Sequence, residues 1–211
     1  MKSLLGLLGF SPAPQQEGQS AESEFFSTAF ADQGVDPAML VPWEARANEV
    51  GAKRLPPRRG SQQLQQLWRK DKYMSRLASD SVAARLERFF DFASLPAGRD
   101  VIRQDEYSNF MIVLLSGTIA VGRAQAWGEQ LRLSQARPGN ILGEMSLLDS
   151  GRRFSVCTSL NECDIAVLSA QSLDEMMASD PALAALLIAV LARKLSGRLR
   201  IASTRLSGKK G

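Results

Sequence analysis

Along the chain the apolar positions change their period twice, and the two changes divide it into helix, strand and helix. Beyond the decamer Met1–Phe10, the first forty residues hold few aliphatic side chains and are rich in Gln, Ser, Pro and Ala. That pattern predicts a disordered segment, extended here over residues 1–60, because such a chain has too little apolar surface to offset its ordering entropy. Leu55-Pro-Pro-Arg-Arg-Gly60 breaks the pattern. Over 61–93 the spacing is helical: Leu64, Leu67 and Trp68, then Tyr73, Met74 and Leu77, then a second helix from about Ser79 with Val82, Leu86, Phe89 and Phe90 on one side. Asp80 or Ser81 is its expected cap. Over 94–170 short apolar runs alternate with turn formers. Val101-Ile102, Phe110–Leu115, Thr118–Val121, Leu131–Leu133, Phe154–Thr158 and Asp164–Leu168 read as strands, and Pro96-Ala-Gly98, Ser116-Gly117, Trp127-Gly128 and Pro138-Gly139 as the turns between them. Such a series suggests a small antiparallel barrel or roll. Helices return over 171–206. One starts at Ser172–Met177 and a longer one at Asp180-Pro181, with Asp180 capping and Pro181 in the first turn. Leu183, Leu186, Leu187, Val190, Leu191 and Leu195 form its apolar stripe, and residues 207–211 are a tail.

Composition narrows the chemistry. The 211 residues are 45% hydrophobic and 23% charged, ordinary for one folded domain with accessory segments. Histidine is absent. That excludes His-dependent acid–base catalysis, Ser-His and Cys-His nucleophile pairs, and the metal site of a cupin-like β-barrel enzyme. Asp105-Glu106 is an adjacent acidic pair in an expected turn, with no partner base in view, so neither a catalytic nor a metal site is expected. Cys157 and Cys163 both fall in strand-like runs and read as buried thiols, which suits a reducing, cytoplasmic location. The decamer Met1–Phe10 is too short for a membrane span and reads as a docking or anchoring peptide, or as a segment with no role, rather than a secretion signal. No transmembrane segment is expected.

Charge is uneven: the net is −4 over 1–40, +6 over 41–90, −5 over 91–180 and +7 from Pro181 to the end. The basic C-terminal stretch reads either as a solvated helix end, where cations suit the helix dipole, or as a contact for an anionic surface.

The informative segment is Pro138–Val156. A strand end at Asn140-Ile-Leu142 leads into Gly143, whose lack of a side chain lets the backbone approach a ligand, and then into a short helical turn from Glu144 to Asp149. Nine residues after Glu144, Arg153 offers a planar fork suited to phosphate oxygens, while the Glu144 carboxylate suits sugar hydroxyls. The combination describes a pocket for a ribose joined to a phosphate. The plainer reading is a solvated Arg152-Arg153 pair on a turn and a carboxylate at a helix start.

Gly143-Glu-Met-Ser-Leu-Leu-Asp-Ser-Gly-Arg-Arg-Phe-Ser155 resembles the phosphate-binding cassette of cyclic-nucleotide-binding domains, the family shared by catabolite-activator-type regulators, kinase regulatory subunits and nucleotide-gated channels. Leu95–Gly98, Ile112–Gly117, Asp164–Leu168 and the helix from Asp180-Pro181 resemble its flanking elements in the same order, over about residues 85–200. The resemblance implies an α+β fold, a jelly-roll-like antiparallel β-roll flanked by helices with a long C-terminal helix. It implies that Glu144 binds the ribose 2′-hydroxyl and that Arg153 pairs with the cyclic phosphate. Backbone N–H groups of Gly143, Met145 and Phe154, with Ser155, would add donors. Phe154 departs from the small residue usual at its position, so its ring would narrow or close the pocket, and Arg152 becomes the pairing arginine if the turn register differs by one.

The expected function is a regulatory sensor of cyclic AMP, or of cyclic GMP, that signals through the C-terminal helix to a protein partner or a second copy. The alternative is an interaction scaffold that kept the roll and lost the ligand. Five residues after Leu206 leave no room for a recognition helix, so direct DNA binding is not expected.

Overall fold

A computed structural model describes residues 24–125 and 130–207. Its helices are α1 (Phe25–Asp32), α2 (Trp43–Val50), α3 (Pro57–Lys70), α4 (Asp80–Glu87), α5 (Glu144–Asp149), α6 (Ala170–Ser179) and α7 (Pro181–Ser207). Its strands are β1 (Lys53–Arg54), β2 (Asp91–Leu95), β3 (Asp100–Ile102), β4 (Phe110–Leu114), β5 (Ile119–Ala124), β6 (Gln130–Ala136), β7 (Ile141–Leu142), β8 (Val156–Ser159) and β9 (Cys163–Ser169). Two antiparallel sheets form, one in the order β1-β2-β9-β4-β7 and the other β3-β8-β5-β6. The chain folds as an α+β antiparallel β-roll with flanking helices and a long C-terminal helix, as expected.

The unbroken apolar runs of β4 and β9 are explained by their place in the centre of the larger sheet, where both faces are covered. Phe110, Ile112, Leu114, Ile165 and Val167 point into the space between the sheets, with Ile119, Cys157 and Cys163. Met111, Val113, Ala166 and Leu168 point the other way, into a second core built with α3, α4, α6 and α7 through Leu64, Trp68, Leu86, Leu173, Leu187 and Leu191. Both cysteines are free and buried.

The disorder expected over residues 1–60 is corrected for 24–60, which is folded; the decamer Met1–Phe10 lies outside the described residues, as do the Trp127-Gly128 turn and residues 208–211 of the tail. A few widely spaced aromatics and two polar anchors hold this segment. Phe26 and Phe30 of α1 are buried, and Trp43 of α2 packs edge-to-face on Phe110 with centroids 5.5 Å apart. Buried Asp174 of α6 accepts hydrogen bonds from the N–H groups of Phe26 (2.8 Å) and Ser27 (2.7 Å), capping α1 from 147 residues away in sequence. Arg46 of α2, also buried, bridges Glu49 at 2.6 Å and Glu106 in the loop between β3 and β4.

Two further boundaries move. The expected helical segment 61–93 ends earlier, since Asp91–Leu95 pairs with β9 along its length. Ser79, rather than Asp80 or Ser81, occupies the N-cap position of α4, without a side-chain cap bond. At α7 the expectation holds: Asp180 Oδ1 accepts from the Leu183 N–H at 3.2 Å, and Pro181 opens the helix. Arg85 grips the same carboxylate through Nε (2.7 Å) and Nη2 (2.5 Å), and Lys194 pairs with Asp71 at 2.7 Å, so α7 is tied to α4 and to the end of α3.

Candidate functional site

β7 pairs with the middle of β4, Ile112 opposite Leu142 and Val113 opposite Ile141, a register that carries Gly143 towards Met111. Gly143 turns the chain with φ +81°, a conformation that disfavours a side chain, and α5 starts at the next residue. A Cβ at Gly143 would overlap Nη1 of Arg153, so glycine is required here by close approach as well as by backbone angle. α5 ends at Ser150, also left-handed at φ +55°, and the Gly151 N–H closes the turn on Asp149 Oδ1 at 2.9 Å.

The chain then returns alongside the β3–β4 loop. The Arg153 N–H donates to Glu106 O, and the Asp105 N–H to Arg153 O, each at 2.9 Å. This pairing drives the Arg153 side chain inward, where it is 1% exposed. Its Nε donates to Ser108 Oγ at 2.5 Å, Nη1 to Gly143 O at 2.6 Å and Nη2 to Phe110 O, with the Phe110 ring 4.9 Å from the guanidinium. Burial pulls its pKa down from 12.5 to about 10, opposed by Cys157, Glu144 and Glu106, so it remains a cation at neutral pH. Burial likewise pushes the neighbouring Cys157 thiol up to about 11 and keeps it protonated.

Glu144 is 5% exposed and is paired with Arg198 of α7, whose Nη2 also donates to Ile141 O at 3.1 Å. These groups wall a cavity of about 470 Å³ between β6, β7, α5 and the approach to β8. That volume suits a small-molecule ligand. Six of the expected site residues line it: Gly143, Glu144, Met145, Arg153, Phe154 and Ser155.

Arg152 does not. It stacks over the Tyr107 ring at 4.7 Å and donates to Asp105 O at 3.3 Å, outside the cavity, because the Arg153 backbone pairing fixes the register of the turn. Arg153 precedes β8 rather than opening it, since regular pairing with β5 and β3 begins only at Val156 and Cys157. Phe154 does not fill the cavity. It is 56% exposed at the rim, with the Arg123 guanidinium 4.2 Å above its ring and Arg123 Nη1 donating to its carbonyl at 3.2 Å.

Sequence reasoning missed Arg198 as a wall residue, although it had noted the basic run that contains it. It also missed Ser108, whose hydroxyl is one of three acceptors around Arg153. Nothing in the pattern of either stretch marks which residue faces the cassette.

Residues 92–180 match the family described as Cyclic nucleotide-binding domain. This part of the chain belongs to that family. Among curated relatives, the CRP-like cAMP-activated global transcriptional regulator of Mycobacterium tuberculosis is 28% identical over 115 residues, 54% of this chain and 51% of that protein. The Cyclic AMP receptor protein of Thermus thermophilus is 28% identical over 119 residues, 56% of this chain and 55% of that protein. The match thus spans about half the length of these relatives. A crystal structure of a cyclic nucleotide-binding domain from Methylobacillus flagellatus aligns with a TM-score of 0.66 at 21% identity, covering 76% of this chain and 90% of the other, and shows the shared fold. In the cyclic nucleotide-binding domain of this chain, the cavity lies at the segment in which the cassette resemblance was found.

Among the described residues, no helix is long and apolar enough to cross a membrane, and no group of acidic or cysteine side chains is placed to hold a metal ion.

Proposed function

We propose that this chain is a regulatory module, not an enzyme, that binds a cyclic nucleotide, cyclic AMP or a close relative such as cyclic GMP, in the 470 Å³ cavity beneath α5. The observation that carries the reading is the convergence there of a carboxylate suited to ribose hydroxyls, Glu144, with the cation Arg153 and the N–H groups around Gly143. The Glu144 carboxylate would accept from the 2′-hydroxyl. Arg153 uses one N–H on each Nη for Gly143 O and Phe110 O and keeps the others for phosphate oxygens. Met145, Phe154 and Ser155 would supply backbone or hydroxyl donors. Two relatives whose names refer to cyclic AMP support the ligand class.

A ligand switches a protein only through unequal affinity for two arrangements. α7 supplies the mobile element, because its last turns stand free of the core, with Leu199 and Ile201 exposed and available to a protein partner or a second copy. Two free cysteines fit a cytoplasmic setting.

A scaffold without ligand is the second reading, and one observation favours it: every nitrogen of Arg153 already has a protein acceptor. Calorimetric titration with cyclic AMP and cyclic GMP separates the two, with Glu144→Ala as the site variant because its carboxylate can be removed without opening the Arg153 cradle. Micromolar or tighter binding that Glu144→Ala weakens supports the sensor. Absence of heat and of thermal stabilisation with both ligands supports the scaffold.

A further inference from the structure

We infer that Arg198 of α7 is a positioning residue of the cavity: it neutralises and orients Glu144, so that the site accepts an anionic ligand only while the end of α7 is docked. The inference rests on the reading of the cavity as a cyclic-nucleotide site and adds to it a residue far from the cassette.

Glu144 poses an electrostatic difficulty. It is a nearly buried carboxylate in a cavity proposed to receive a phosphate, and like charges in a poorly solvated site repel strongly. Arg153 alone only balances it. Its charge is also partly committed to the Ser108, Gly143 and Phe110 oxygens. Arg198 shifts the balance. It meets Glu144 through Nη1 and clasps Ile141 O at 3.1 Å through Nη2, two anchors on one planar fork. The bridge reaches only Oε1, which leaves Oε2 to accept from a sugar hydroxyl. With Arg198 docked, the walls carry two cations against one carboxylate among the described residues, and Arg123 stands at the rim beside Phe154.

Arg198 is 49% exposed on its side chain and lies past the last fully buried residue of the helix, Leu191. Lys194, one turn earlier, is already tied to Asp71. The Glu144 bridge and the bond to Ile141 O therefore join the end of α7 beyond Lys194 to the ligand site, and by linkage whatever the docked helix does for the ligand, the ligand does for the docked helix.

The test uses the full chain with Arg198→Gln, Arg198→Lys, Glu144→Gln and the double variant Arg198→Gln/Glu144→Gln. Amide exchange of residues 195–203 is measured without ligand. The expected result is faster exchange in Arg198→Gln and a smaller increase in Glu144→Gln, which keeps the Ile141 O anchor, with the double variant no faster than Arg198→Gln alone, as holds for groups that share a contact. Additive effects, or none, overturn the docking whether or not any nucleotide binds.

Calorimetry with cyclic AMP then reads the ligand arm. Arg198→Gln should weaken binding about tenfold with a shallower salt dependence, and Arg198→Lys should recover part of the loss. Equal or tighter binding by Arg198→Gln overturns the inference while leaving the nucleotide reading intact. Failure of the unaltered chain to bind cyclic AMP or cyclic GMP overturns the nucleotide reading and the ligand half of this inference together, and the exchange arm still decides the docking.

Discussion

The two charged walls of the cavity are built on opposite principles. The Arg153 wall is closed. A single guanidinium, 1% exposed, is held by three acceptors from one strand, a loop and a turn, all inside the cyclic nucleotide-binding domain. The Glu144 wall is open to change, since its carboxylate is nearly buried but its partner Arg198 is half-exposed and arrives on a helix that leaves the core at about Leu191. A cation caged by backbone carbonyls makes a fixed reference point. A cation carried on a helix end makes a wall that can be withdrawn. On the proposed function, the contrast places rigidity where a phosphate would be positioned and mobility where a signal would leave.

Substitutions on the fixed wall should cost most. Gly143→Val puts a branched side chain on a left-handed residue and against Arg153 Nη1, and urea unfolding should show a loss of more than about 3 kcal/mol. A near-normal midpoint would mean that the Arg153 cradle is not rigid. Arg153→Met should lose about 3 kcal/mol by leaving the Ser108, Gly143 and Phe110 oxygens without donors in a buried site.

Asp174→Ala sharpens the comparison from outside both walls. It removes the cap on α1 and should lower stability by about 1–2 kcal/mol, with faster amide exchange at Phe26 and Ser27 and no change in nucleotide affinity. A lost affinity would show that α1 belongs to the site. On the movable wall, Arg198→Gln should change the urea midpoint by less than about 1 kcal/mol, since a half-exposed ion pair adds little to stability even where it matters for binding.

The smallest effect is a pH dependence at the other α7 tie. Burial raises the Asp71 carboxyl, but the Lys194 ammonium and the Tyr73 and Met74 N–H groups outweigh it and hold its pKa below the ordinary 3.8. A depressed folded pKa stabilises above the unfolded value and is lost as pH falls through the folded one. Protection of the α7 amides, taken relative to their intrinsic exchange rate at each pH, should therefore be flat from about pH 7 to 5 and fall only below about pH 4. A loss of protection near neutrality would place the controlling group elsewhere.

The roll was legible in the sequence because β4 and β9 are apolar on both faces and because Gly143, Glu144 and Arg153 sit at a characteristic spacing. The cassette residues accordingly meet at one cavity, apart from Arg152, whose exclusion depends on the pairing of Arg153 with Glu106 O and of Asp105 with Arg153 O, a tertiary register that no local pattern encodes. The fold of residues 24–60 was not legible. Its stability comes from a few isolated large side chains, Phe26, Phe30 and Trp43, and from anchors supplied far along the chain, Asp174 and Glu106, whereas local composition weighs only neighbours. The place of Arg198 in the cavity wall escaped notice for the same reason. Its meaning lies in Glu144, 54 residues away.

The central claim, that one cavity joins a fixed wall to a movable one, is tested most directly by amide exchange across the whole chain with and without saturating cyclic AMP. The account predicts added protection in two separate stretches, 143–155 around the cassette and 195–203 at the end of α7, with little change in β4 or β9. Protection confined to the cassette, or absent from both stretches, would contradict it.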